Sequence, residues 1–252
     1  MRFASLGSGS KGNSSVVAHG STAVLVDCGF SARETERRLD RLGLTAKDID
    51  AIFVTHEHSD HCAGVARMAR KHDLPVYSSH GTYHSGRCGE VDRINFCYSE
   101  RAIRIGDLEI TPVAVPHDAR EPCQFVIRGE NRVLGILTDL GSVTPFVCQQ
   151  YRRCDALILE FNHDLEMLNR GSYPPSVKHR VGGDWGHLNN HQSAALLGSL
   201  EMEQIQHLVV AHISEQNNSP ELAESALEGV FPFMDRVVWA DQTDGVDWME
   251  IE

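Results

Sequence analysis

No pair of cysteines in this chain stands at C-x-x-C spacing, and its seven cysteines (Cys28, Cys62, Cys88, Cys97, Cys123, Cys148 and Cys154) are odd in number. That excludes a disulfide framework and a cysteine-based zinc site, and it fits a reducing compartment. No apolar stretch approaches the roughly 20 residues that span a bilayer. The opening MRFASLGSGSKGNSS lacks the apolar run of a secretory signal. We therefore expect a cytoplasmic protein with no membrane partner. Positive charge is also scarce: 23 Lys and Arg stand against 35 Asp and Glu, for a formal net charge of −12. That balance is not the one a general nucleic-acid binder shows. No short-period repeat or low-complexity linker divides the 252 residues, a length that fits one large domain or two small ones.

Histidine, by contrast, is abundant, with 14 in the chain. Residues 53–65, FVTHEHSDHCAGV, place His56, His58, Asp60 and His61 within six positions, directly after the apolar run AIFV. Imidazoles packed this closely repel one another when protonated and leave polar nitrogens to satisfy when buried. A divalent metal answers both problems.

The rest of the chain alternates strands and helices. MRFASL reads as a strand, and SVVAHG and TAVLVDCG read as a hairpin turning at Gly20-Ser21. SARETERRLDRLG reads as a helix with a capping box of Ser31 and Glu34 and a stop at Gly43. DIDAIFVT, LPVYSS, LEITPVAVPH, CQFVIRG, RVLGILTDLG, DALILEFN and QIQHLVVAHIS read as strands. CAGVARMARKH, VTPFVCQQYRR, NNHQSAALLGSL and PELAESALEGV read as helices. With 41% hydrophobic residues there is enough for a substantial core. The pattern suggests an α/β fold of two mixed β-sheets packed face to face with helices outside.

Several of these strands end in a metal-type residue: Asp27, the 56–61 cluster, His117, Asp139 and His212. Core packing alone does not require such a pattern, whereas loops at one sheet edge commonly carry function. A single such residue, His117 or His212 for example, reads first as a turn or satisfied core residue; the H-x-H-x-D-H cluster does not.

THEHSDH resembles the signature of the metallo-β-lactamase fold superfamily, and Asp27, the cluster, His117, Asp139 and His212 follow in that family's order over nearly the whole chain. SLGSGSKGNSS, VPHDAREP, TDLG, LEFNHDLEMLNRGSYP, GHLNNHQSA and AHISEQNN are similar to the YycJ/WalJ-like branch, which is associated with DNA exonuclease activity. The resemblance implies a single domain over residues 1–252, a four-layer αβ/βα sandwich, and two divalent metal ions, Zn2+ or Mn2+. It implies that His56, His58 and His117 hold the first ion, that Asp60, His61 and His212 hold the second, and that Asp139 bridges them. Asp60 and Asp139 then count as catalytic, with a water between the ions losing its proton near neutral pH and attacking a phosphoryl group in line.

Other residues are placed less narrowly. By similarity to a GHST-type element of tRNA 3′-processing relatives, His187 is the general acid. His191 reads as a helix residue facing solvent or packing. Asp27 either orients the ligand loop or caps the turn at Cys28-Gly29. His163 either approaches the site or caps a helix with Asn162. The loop SGSKGNS either presents backbone N–H groups and Asn13 to a phosphate or is a flexible turn. Asn217 and Asn218 are candidate substrate contacts. Lys178 and Arg180 either bind phosphates or belong to a solvated face.

The function expected is hydrolysis of phosphodiester bonds by a DNA exonuclease, with RNA as the variant substrate. A rival reading is a hydrolase of a small substrate, a cyclic phosphodiesterase or a thioesterase of glyoxalase II type, which the acidic charge suits. A metal-binding redox protein ranks behind both, because the chain has no room for a flavin domain.

Overall fold

The computed structural model describes all 252 residues. The first half runs β1 (Arg2–Gly7), β2 (Ser14–His19), β3 (Thr22–Val26), α1 (Ala32–Arg41), β4 (Ala51–Phe53), α2 (Ser59–Cys62), α3 (Val65–His72), β5 (Val76–Ser78), α4 (His80–His84) and β6 (Ile94–Phe96). The second half runs β7 (Ile103–Ile105), β8 (Leu108–Ala114), β9 (Cys123–Gly129), β10 (Arg132–Leu137), α5 (Pro145–Tyr151), β11 (Ala156–Glu160), α6 (Leu165–Arg170), α7 (Pro175–Val181), α8 (Asn190–Gly198), β12 (His207–Ala211), α9 (Pro220–Glu228), β13 (Val237–Trp239) and β14 (Val246–Glu250).

Two seven-stranded sheets result, ordered β14-β1-β2-β3-β4-β5-β6 and β13-β12-β11-β10-β9-β8-β7. Each is mixed. The first is antiparallel through β3 and parallel from β3 to β6. The second is antiparallel from β7 to β10 and parallel from β10 to β13.

Strands buried on both faces need apolar residues at every position, and these strands supply them. Val24 and Val26 of β3 enter the layer between the sheets, while Leu25 faces the helices. Phe125 and Ile127 of β9 do the same from the other sheet, with Val126 pointing outward. Phe53 joins the two sheets: it stacks on Tyr77 at 4.7 Å and meets Phe125 edge-on at 5.5 Å. Helices α1 and α3 cover the first sheet, and α5, α8 and α9 cover the second. The expected four-layer α/β sandwich, the metallo-β-lactamase fold, is the structure observed.

Some local expectations differ from what forms. The helix expected over residues 62–72 is two pieces, α2 and α3, separated at Gly64. There the chain packs so tightly on the loop after β3 that an added Cβ would lie 1.9 Å from the Phe30 carbonyl oxygen. The capping box of α1 is half made. Ser31 Oγ accepts from the Glu34 N–H, but the Glu34 carboxylate turns to Arg37 and Arg38, where charge-assisted bonds are stronger. The three-residue strands β6, β7 and β13 are too short to show a period of two, and α4, α6 and α7 too short to show one of 3.6. The strand β14, five residues long, also went unread in the sequence.

Candidate metal centre and active site

Strand direction gathers the site. β1, β3 and β4 of one sheet, and β8, β10, β11 and β12 of the other, all deliver their C-terminal ends to one edge of the sandwich. The loops there are laced by their backbones. The Asn13 N–H donates to Asp60 O at 2.7 Å, Cys28 N–H to His61 O at 2.8 Å, Gly29 N–H to Asn13 O at 3.0 Å and Gly64 N–H to Cys28 O at 2.8 Å. The approach at Gly29 leaves no room for a side chain, since a Cβ would stand 1.7 Å from Asp60 O.

On this frame His56, His58 and His117 face one another, as do Asp60, His61 and His212, with the facing atoms of each trio within 4.8 Å. Asp139 lies between the trios: one oxygen is 3.1 Å from His61 Nε2 and the other 3.7 Å from His117 Nε2. All seven residues singled out in the sequence thus meet at one place. Each imidazole has its outer nitrogen engaged by an oxygen. His61 Nδ1 donates to Asp27 Oδ2 at 2.7 Å, His56 Nδ1 to Thr55 Oγ1 at 3.0 Å and His117 Nδ1 to Gly186 O at 2.9 Å. His212 Nδ1 donates to Thr138 O at 2.9 Å and His58 Nε2 to Asp118 O at 3.2 Å. That pattern reserves the inward nitrogens for a metal, which histidine binds through an unprotonated nitrogen.

Divalent cations fit this pocket of donors. His56 Nε2 is buried with no hydrogen-bond partner in the protein, within 4.8 Å of the facing atoms of His61 and Asp139. A buried acceptor left bare beside a buried carboxylate calls for a positive charge. Burial, together with the neighbouring imidazoles, drives His56 far below its ordinary pKa. Burial also takes His117 down to about 4, so both are neutral at pH 7. His61 and His212 go the other way. Burial opposes their charge, but Asp139 and the carboxylates beside them outweigh it, lifting His61 well above its usual value and His212 to about 9. In the metal-free protein those two protons balance the buried carboxylates, so cation uptake must expel them.

The remaining candidates fall into two groups. Asp27 sits at a positive φ of 62° at the end of β3. It holds His61 and accepts from Thr55 N–H at 2.8 Å, so it orients the cluster. Asn13 is turned inward: its Oδ1 accepts from Gly9 N–H at 2.8 Å and its Nδ2 donates to Asp60 Oδ2 at 3.2 Å, so it shapes the loop and steadies Asp60. His187 lines the cleft beside Asp139. Asn218 is locked in a reciprocal amide pair with Asn190, and Asn217 is buried beside Gly171; neither lines the cleft. His163 is buried with both ring nitrogens unpartnered, and burial pushes its pKa to about 4. His191 is exposed.

Two site residues were not singled out in the sequence. Glu160, the last residue of β11, is fully buried; its Oε1 accepts from Leu140 N–H at 2.6 Å and its Oε2 lies 3.1 Å from His187 Nδ1. Its signal was the one read elsewhere, an acid ending an apolar strand. Asp118 follows His117 and places Oδ1 3.4 Å from His117 Nε2.

The fold and the gathered His and Asp side chains define a metal-dependent hydrolase of the metallo-β-lactamase fold. More narrowly, the chain belongs to the beta-lactamase superfamily, whose domain model matches residues 22–213. It is 36% identical over 234 residues to exodeoxyribonuclease YycJ of Bacillus anthracis, covering 91% of this chain and 89% of that one. It is 31% identical over 253 residues to exodeoxyribonuclease WalJ of Streptococcus pneumoniae, covering 98% and 92%. Among solved structures, the metallo-β-lactamase fold protein YhfI of Bacillus subtilis superposes with a TM-score of 0.76 at 15% identity, covering 99% of each chain.

Proposed function

We propose that this chain hydrolyses phosphodiester bonds in nucleic acid as a DNA exonuclease, using two divalent ions. The observation that carries this reading is the pair of trios joined by Asp139, a geometry suited to two adjacent cations facing one phosphoryl group. The names of the two relatives that match along nearly their full length favour DNA over RNA. His56, His58 and His117 would hold the first ion and Asp60, His61 and His212 the second, with Asp139 placed between the two trios. The donors are all N and O, which suits Zn2+ or Mn2+. Bound there, the ions supply Lewis-acid charge and an acidified water at neutral pH. In this reading residues 1–252 act as one domain, in keeping with the apolar layer that both halves build between the sheets. The seven free cysteines suit a cytoplasmic setting.

The chain's own groups supply the rest. Asp60 lines the cleft and stays anionic; burial opposes its charge, but His61 and His212 hold its pKa far below the ordinary carboxylate range. It is placed to accept hydrogen bonds from an attacking water. Glu160 is raised by burial and by the charge of Asp139, so its Oε2 keeps a proton and donates to His187 Nδ1. His187 then presents Nε2–H to the cleft; as that proton passes to the leaving oxygen, Nδ1 takes up the Glu160 proton, so the ring stays neutral and Glu160 is left as the carboxylate.

The test uses end-labelled DNA and manganese-loaded protein. Release of mononucleotides is expected. His187→Ala should lower the rate about 100-fold, the usual scale for removing a general acid, with two manganese ions per chain retained. The rival reading, a small-phosphodiester hydrolase, draws on the net charge of −12. Cleavage of a chromogenic phosphodiester with no attack on DNA or RNA would decide for it.

A further inference from the structure

The sequence offers two cations on α7, Lys178 and Arg180, and the structure separates them. Lys178 Nζ donates to Asn169 O at 2.7 Å and so ties α7 to α6. Arg180, two residues on, lines the cleft. Its backbone is firmly seated. The His187 N–H donates to Val181 O at 2.8 Å, and Gly186 lies so close under α7 that an added Cβ would come within 2.1 Å of Arg180 O. Gly186 O in turn accepts from His117 Nδ1. Arg180 is thus carried on a stretch of backbone that is braced against both His187 and His117.

Its side chain reaches toward the first trio. Arg180 Nη1 is 3.5 Å from Asp118 Oδ2, while Asp118 Oδ1 is 3.4 Å from His117 Nε2 and 3.7 Å from His58 Nε2. One carboxylate therefore separates the guanidinium from two imidazoles of that trio. A guanidinium has five N–H donors, and this single contact leaves the others open to a ligand. The side chain is 63% exposed, so nothing in the core competes for them. Arg87 enters from a different wall, the loop after α4. Its backbone N–H donates to Ser85 Oγ at 3.1 Å, and no carboxylate pairs with its guanidinium. Of the acids lining the cleft, Glu215 is neutralised by Lys11 at 2.7 Å.

We propose that Arg180 and Arg87 form a two-point phosphate grip, in which Arg180 donates to the phosphoryl group under attack and Arg87 to a second phosphate of the same strand. This inference rests on the nuclease reading and deepens it, because it makes the preferred substrate a chain with more than one phosphate. A planar guanidinium matches two phosphoryl oxygens at once, which an ammonium cannot do. Two divalent ions would more than neutralise Asp60, Asp118 and Asp139, the other acids of the cleft, and the arginines add to that positive surplus. Attraction is thereby concentrated at one place in a chain whose overall charge of −12 repels polyanions.

The test compares two substrates of the full manganese-loaded chain: bis(p-nitrophenyl) phosphate, with one phosphate, and an end-labelled 12-mer of thymidylate, with many. Arg180→Gln should lower kcat on both roughly 100-fold, the scale for losing one donor to developing charge, and keep the ratio of their kcat/KM values within about threefold. Arg87→Gln should cut that ratio, DNA over ester, about tenfold, the effect of one lost charged hydrogen bond. A phosphorothioate version of the strand, which resists hydrolysis, reports binding by fluorescence anisotropy. Each variant should flatten the plot of log Kd against log salt by about 0.7. The proposal is overturned if either variant keeps the wild-type slope, if Arg180→Gln turns over both substrates like wild type, if Arg87→Gln leaves the ratio alone, or if either variant loses manganese. Absence of any wild-type strand binding overturns it too. If the slopes respond as expected while wild type releases no nucleotide from DNA, the grip stands and the nuclease reading fails.

Discussion

At the scale of the residue, His163 shows how burial sets a charge state away from the metal-type cluster. Neither of its ring nitrogens has a protein partner, and burial holds its pKa near 4. An unfolded histidine titrates near 6.5, so as pH falls from 6.5 to 4 the unfolded chain takes up a proton that the folded one refuses. His163 therefore subtracts stability in that window and has no effect above it. In chelated protein, the gap in unfolding free energy between His163→Leu and wild type should move in the variant's favour by roughly 2 kcal/mol between pH 7.5 and pH 5. Urea unfolding at the two pH values measures it, and a constant gap would refute the assignment. The seven residues of the cluster could be read from sequence because each follows an apolar strand and carries a metal-binding side chain. Glu160 met the same condition, but a glutamate ending a strand also reads as a solvated cap. Only the structure shows Leu140 N–H and His187 closing around it.

At the scale of the element, the site depends on loops that touch through their backbones. Gly64 has an ordinary φ of −93°, so Gly64→Ala tests contact rather than backbone strain. Its Cβ would collide with Phe30 O and crowd Cys28 Sγ at 2.9 Å. Pushing the loop after β3 away from α2 should cost about 1–3 kcal/mol by urea unfolding. It should also lower manganese content below two per chain, because Cys28 and Asp27 move together. Unchanged stability and metal content would show that the loops are not coupled. The long buried strands and capped helices were legible in the sequence through their apolar runs and their Ser, Asn and Gly punctuation. The short strands β6, β7, β13 and β14 and the short helices α4, α6 and α7 were not, because their shape comes from what they pack on.

At the scale of the whole molecule, seven side chains from both halves share one small volume, so ions bound there would tie the two sheets together. A ligand that binds only the folded state adds about 4 kcal/mol at a thousandfold excess over its Kd, and a chain of this size gains about 2–4 °C per kcal/mol. Adding manganese to chelated protein should therefore raise the melting temperature by roughly 8 °C or more, read by calorimetry. No shift would contradict the dinuclear proposal. No helix is long and apolar enough to cross a membrane.

Topology has one more consequence. β14 pairs with β1, and the Ile251 N–H donates to Met1 O at 2.8 Å. The first sheet thus takes the earliest of its strands from residues 2–7 and is finished by residues 246–250. A nascent chain leaving the ribosome must carry β1 with one side unzipped until nearly every other segment has emerged. Arg2, at the start of that waiting edge, places its guanidinium over Trp248 at 4.2 Å once the closing strand arrives.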